Sequence, residues 1–150
     1  MADDLKFMAE ALKQAQEAGM AGEVPIGAVI VKDNQILAAE RNRREELNDA
    51  TAHAEILLTR QAGKHLGGWR LSGCTMYVTL EPCPMCAGAI VLARLQRLVF
   101  GAPDPKTGAV ISLYNIGRDP RLNHRLKISG GVMQDQCAFL LRDFFRQRRD

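Results

Sequence analysis

The sequence predicts an α/β domain in which a central mixed sheet carries helices on both faces. Three observations predict it. Helical and strand-like periodicities alternate along the chain as helix, hairpin, helix, strand, helix, strand and terminal helix. Two β-branched or apolar runs are joined by the turn pair Asp33-Asn34. A length of 150 residues suits one domain with a core of its own, so residues 1–150 are expected to form a single unit.

In chain order, Leu5, Met8, Ala9, Leu12 and Ala15 recur at helical spacing over residues 4–18, with Gly19 as the stop. Pro25 then opens the strand Ile26-Gly27-Ala28-Val29-Ile30-Val31, and Ile36-Leu37-Ala38-Ala39 returns after the turn. Thr51 is positioned to cap a second helix from Ala52 to Gln61 that ends at Gly63. Cys74 to Leu80 reads as a third strand, and Pro84 suits the first turn of a helix through about Ala93. Leu98-Val99-Phe100 reads as a fourth strand, and a short fifth is expected near Ile128 or Val132. A last helix should run from about Gln134 to Arg148. Residues 101–127 show little periodicity, and a stretch of that kind in a compact domain is usually functional.

Composition limits the function classes. Apolar residues make up 47% and charged residues 25%, as in soluble globular proteins. No apolar run approaches the ~20 residues of a membrane span. The acidic start Met1-Ala2-Asp3-Asp4 is unlike a signal peptide, so the cytoplasm is expected. Cys74 and Cys137 read as small buried apolar residues. Cys83 and Cys86, spaced as Cys-x-x-Cys in a chain without an export signal, point to metal or redox chemistry. The net charge of +3 is unevenly spread: residues 1–117 carry 12 basic and 13 acidic side chains, residues 118–150 carry 8 and 4.

The chemistry lies in His53-Ala54-Glu55 and Pro82-Cys83-Pro84-Met85-Cys86. Cysteines at i and i+3 of a helix start share one face, where the helix dipole favours the thiolates that zinc needs. His53 supplies a third ligand from the preceding helix. Three protein ligands leave one tetrahedral position open, the pattern of a catalytic rather than a structural zinc site. Water in that position ionises near pH ~7 instead of ~15.7, and Glu55 is close enough to take its proton as general base. A redox pair is the bland alternative, but it leaves His-Ala-Glu without a role. A closed structural site needs a fourth ligand, and neither His65 nor His124 has suitable spacing. His-x-Glu followed by Pro-Cys-x-x-Cys is a described signature of zinc nucleobase deaminases.

On those residues the chain resembles the bacterial tRNA-specific adenosine deaminases of the cytidine deaminase-like superfamily. The likeness extends through Glu23-Val24-Pro25-Ile26-Gly27-Ala28-Val29, Asn42-Arg43, Thr51 to Glu55, and Tyr77 to Cys83. It continues in Cys86 to Ala89, Phe100-Gly101-Ala102, Asp104, Lys106 to Ala109, Asn123-His124-Arg125 and Asp143 to Arg146. The resemblance implies a three-layer fold around a five-stranded mixed sheet. It implies one zinc ion per subunit held by His53, Cys83 and Cys86, with Glu55 as proton shuttle and no organic cofactor. It further implies a homodimer that converts the wobble adenosine of a tRNA anticodon stem-loop to inosine. Asn42 would hydrogen-bond the base and Asp104 its nucleotide, with Asn123, Phe145 and Arg146 as further RNA contacts. Pro103 and Pro105, which flank Asp104, depart from the family's pattern and are expected to stiffen its loop.

Two features of the residues themselves bear on the substrate. The segment Arg142-Asp143-Phe144-Phe145-Arg146-Gln147-Arg148-Arg149 interleaves aromatics with arginines, a composition suited to single-stranded RNA. The same residues also suit an amphipathic helix with Leu140, Leu141, Phe144 and Phe145 buried. Arg118, Arg121, Arg125 and Lys127 form a second basic cluster that favours RNA. A small-molecule deaminase acting on guanine, cytosine or a nucleotide would use the same His53, Cys83, Cys86 and Glu55. A non-catalytic zinc subunit that only binds tRNA has no need of Glu55.

Overall fold

The computed structural model describes residues 2–149. Helix α1 (Ala2–Met20) buries Phe7, Met8, Ala11, Leu12, Ala15 and Ala18, a stripe at helical spacing. Leu5, expected on that stripe, instead faces solvent. The helix also passes its expected stop at Gly19. Gly22 takes the left-handed φ of 83°, and the Glu23 N–H reaches the Ala18 carbonyl while the Gly22 N–H reaches Gly19.

Strands β1 (Gly27–Lys32) and β2 (Gln35–Arg41) form the expected hairpin. Asp33 and Asn34 both take positive φ, 50° and 63°, which matches the twist of a two-residue turn. Gly27 is required by packing: a Cβ there would collide with the Ala11 carbonyl and the Ala15 nitrogen of α1. A short helix not foreseen in the sequence, α2 (Arg44–Leu47), follows.

Helix α3 (Ala54–Leu66) begins two residues later and ends five residues later than the sequence suggests. Thr51 does not cap it; its hydroxyl donates to Asp49 Oδ1 at 2.7 Å in the turn before. The chain leaves α3 at Gly67, left-handed at φ 71°, rather than at Gly63. Strand β3 (Thr75–Leu80), helix α4 (Pro84–Leu92) and strand β4 (Arg97–Ala102) fall where expected. Strand β5 is only Lys127–Ser129, which includes Ile128 and excludes Val132, and helix α5 spans Gln134–Arg149.

The sheet runs in the order β2-β1-β3-β4-β5, as expected mixed and five-stranded. β1 is antiparallel to both neighbours, while β3, β4 and β5 are mutually parallel. Period-two alternation divides the strands between two cores. Ala28, Ile30, Met76, Val78, Leu98 and Phe100 pack with residues of α3 and α4. Val29, Val31, Tyr77 and Val99 pack with α1 and α5. Full burial of each large apolar side chain stabilises the fold by about 1.5–3 kcal/mol, so both faces of the sheet hold the helices firmly. The C-terminal ends of β3 and β4 are left open, the place where open α/β sheets take their ligands.

Candidate metal centre

Two helix beginnings build the centre. His53 is the N-cap of α3, extended at φ −72° and ψ 151°, and its carbonyl accepts the N–H groups of Ile56 and Leu57. Cys83 is the N-cap of α4, extended at φ −74° and ψ 174°, with Pro84 fixing the first helical position. Extended backbone at each cap turns the side chain out of its helix and toward the other. His53 Nδ1 lies 3.4 Å from Cys86 Sγ and 3.7 Å from Cys83 Sγ. One ligand atom from each of His53, Cys83 and Cys86 therefore falls within 4.8 Å of the others, close enough for a single ion. One imidazole and two sulfurs are the donor set that suits zinc, and three ligands leave a tetrahedral position free. The residues fit the metal.

The electrostatics of the three are interlocked. Cys83 is drawn down to about 4, chiefly because the Cys86 thiol donates to it and outweighs burial, with His53 adding to the effect. Cys86 is pushed up, first by that same bond and then by burial and the charge of Glu55. His53 is raised by its bond to Cys83. Glu55, in the first turn of α3, is buried, and burial pushes its carboxyl up to about 7. A carboxyl poised near neutrality can both accept and return a proton.

His53, Glu55 and Cys83 line a cavity of about 700 Å³ at the ends of β3 and β4. Of the further residues singled out in the sequence, Asn42, Asp104 and Phe145 line it as well. Asn42 is buried and its amide is held in place, Nδ2 donating to the Val24 carbonyl at 3.4 Å and Oδ1 accepting from the Arg44 N–H at 3.3 Å. The Asp104 carboxylate is engaged with its own loop, accepting from the N–H groups of Lys106 and Thr107 and from the Thr107 hydroxyl at 2.7 Å. Asn123 and Arg146 are exposed and do not line the cavity, and Arg146 pairs with Asp143 at 2.6 Å. From α5, Ala138, Leu141 and Arg142 reach the cavity wall together with Phe145.

Two buried glutamates escape a reading of spacing. Glu81 accepts the N–H groups of Asp104, Val110, Ile111 and Ser112 and the Ser112 hydroxyl, which ties residues 104–112 to the start of α4. Burial alone would raise its carboxyl, but the bonds from Ser112, Asp104 and Ile111 prevail and hold it below the usual carboxylate range. Gly108 sits so close that a Cβ would overlap the Glu81 carboxylate. Glu23 accepts the N–H groups of Glu45 and Glu46 at 3.0 and 2.7 Å, which caps α2 beside Asn42. Neither was singled out in the sequence, although both lie in stretches that carry the resemblance, Glu23 to Val29 and Tyr77 to Cys83.

Comparison with known proteins agrees with this geometry. A family model described as MafB19-like deaminase matches residues 2–149. The tRNA-specific adenosine deaminase of Bacillus subtilis is 49% identical over 149 residues, 99% of this chain and 92% of that protein. A solved structure from studies of A-to-I editing by tRNA:A34 deaminases at the wobble position of transfer RNA superposes with a TM-score of 0.87. It is 48% identical and matches 91% of this chain and 99% of its own. Guanine deaminase from Bacillus subtilis superposes with a TM-score of 0.64 at 32% identity, over 97% of this chain and 93% of that one.

Proposed function

The chain belongs to the MafB19-like deaminase family, and from that premise we propose that it hydrolyses the wobble adenosine of a tRNA anticodon to inosine, releasing ammonia. The observation that carries the reading is the meeting of His53, Cys83 and Cys86 in one cluster, of which His53 and Cys83 line the cavity together with the buried Glu55. Zinc held by those three residues, one ion per subunit, supplies Lewis-acid activation of the attacking water when bound. Glu55 takes the first proton of the attacking water and delivers it to the ring nitrogen. It then moves the second, from the hydroxyl added to the ring carbon, to the amine, which leaves as ammonia when its C–N bond breaks. Asn42 keeps one amide N–H and one lone pair beyond its two bonds, and these orient the purine. Val24, Ile26 and Leu80 make the wall apolar and keep bulk water from the splayed-out base. Phe145 and Asp104 flank the nucleotide, while Asn123 and Arg146 contact RNA beyond the cavity.

The enzyme works as a homodimer in this reading. Met85 and Leu92 lie on one face of α4 and are exposed, as are Ile111, Leu113 and Tyr114 of the loop that Glu81 gathers. Such an apolar surface suits a second copy. No helix among the described residues is long and apolar enough to cross a membrane, and we place the enzyme in the cytoplasm.

The test incubates the zinc-loaded protein with tRNA and, separately, with guanine, cytosine and adenosine, and measures ammonia and inosine. Inosine from tRNA alone is expected; ammonia from a free base alone would overturn the reading in favour of a small-molecule deaminase. Glu55→Ala should keep its zinc and lose turnover by at least 100-fold, whereas Cys86→Ala should lose the metal in elemental analysis.

A further inference from the structure

At the opposite end of the sheet from the cavity lies a second concave surface of about 600 Å³. Arg70, Arg94, Arg125 and Lys127 line it, with Ser72 and Gln96 between them and no carboxylate. None of these four cations takes part in an ion pair among the described residues. They come from three separate places: the segment after α3, the end of α4, and the two sides of the entry to β5.

Local bonds hold this arrangement in place. Arg94 sits in the left-handed region at φ 65°, and its guanidinium donates to the carbonyls of Val91 and Leu92 at the end of α4. His124 Nε2 lies 2.6 Å from the Leu95 carbonyl and pins residues 124–127 against the start of β4. Beside the groove the ring of Trp69 is 56% exposed, with the Arg70 guanidinium 4.4 Å and the Arg94 guanidinium 5.8 Å from its centroid. Four like charges gathered without counter-charge repel one another, and an anion that bridges them relieves that repulsion.

We propose that this groove holds the phosphodiester backbone of the tRNA substrate, away from the nucleotide in the cavity; the proposal rests on the reading of tRNA as substrate. Four cations spread along a concave surface match a ligand with repeated charges, and an exposed aromatic among arginines suits RNA. The six residues each of β3 and β4 separate the groove from the cavity by about 20 Å. A free base or nucleoside cannot occupy both, but a folded RNA can. The basic cluster seen in the sequence is divided accordingly. Arg125 and Lys127 face the groove with Arg70 and Arg94, while Arg121 is neutralised by Asp119 at 2.6 Å.

The experiment compares the wild-type protein with the combined variant Arg70→Ala, Arg125→Ala, Lys127→Ala and with each single substitution. Arg94 is left intact because it caps α4. Binding of labelled full-length tRNA, and of a loop oligonucleotide lacking the stem, is measured by fluorescence anisotropy across a salt series, with inosine formation alongside. For full-length tRNA the combined variant should bind at least tenfold more weakly, and its log-log salt slope should fall by about 2–3, about 1 per cation. Each single variant should lose about 1 unit of slope, so the proposal is decided even if the combined variant fails to fold. Affinity for the loop oligonucleotide, and kcat, should not change. Unaltered tRNA affinity and slope would overturn the proposal, and so would equal weakening of both RNAs. A changed oligomeric state with unchanged RNA affinity would overturn it in favour of a protein-binding surface. If wild-type protein forms no inosine from tRNA, the substrate reading fails while the binding arm still decides the groove.

Discussion

Single residues at the centre divide into those whose chemistry is local in the chain and those whose partners are distant. His53, Glu55, Cys83 and Cys86 were legible because each sits in the first turn of a helix, where spacing alone dictates the face a side chain shares. Glu81 was not, since its partners are backbone N–H groups 23 to 31 residues onward. Glutamine at this position would turn an N–H donor toward other N–H donors, leaving buried groups without partners. Glu81→Gln should therefore cost about 1–3 kcal/mol of stability. It should also raise KM for tRNA by about tenfold through displacement of residues 104–112, with zinc content unchanged in elemental analysis. Asp104 illustrates the converse. Its place on the cavity wall was anticipated, but the commitment of its carboxylate to Lys106 and Thr107 depends on loop conformation, which periodicity does not encode.

Elements were read from the sequence more accurately in position than in their ends. The hairpin, β3, α4 and β4 followed from alternation and from Pro84, but the ends of α1 and α3 were misplaced because two glycines competed at each. Gly22 and Gly67, the ones in left-handed backbone, close their helices, and Gly19 and Gly63 do not. α2 was missed because its cap, Glu23, comes from beyond β1 and β2. The attachment of α1 to the sheet includes a long-range ion pair: Asp4 accepts two bonds from Arg97 at 2.7 and 2.8 Å and one from the Tyr77 hydroxyl at 2.7 Å. The Arg97 bonds are the main cause that lowers the Asp4 carboxyl, against a smaller effect of burial. Because the folded-state value is depressed, this contribution is present above the unfolded value of ~3.9 and is lost as pH falls through the folded value. Asp4→Asn should cost about 2 kcal/mol at neutral pH. Denaturant titrations should show that difference narrowing below pH ~4. A difference independent of pH would refute the ion pair's role.

For the molecule as a whole, the three-layer arrangement was legible because β1, β3 and β4 are apolar at nearly every position, which requires cover on both faces. Assembly is a different matter, since an apolar residue on α4 reads alike whether it faces a core or another copy. Leu92, 68% exposed, tests the dimer: Leu92→Asp should give monomers in sedimentation velocity without loss of zinc. A dimer that persists would place the interface elsewhere. The cavity also has two walls of unlike origin. His53, Cys83 and Glu55 belong to helix starts anchored in the sheet, whereas Asp104, Arg142 and Phe145 belong to a glutamate-tied loop and a terminal helix. Those two outer pieces can be exchanged by insertion, deletion or drift while the reacting end stays intact. A lineage can thus change what it deaminates without reinventing how. That a guanine deaminase shares this fold at 32% identity is what such a division of labour would produce.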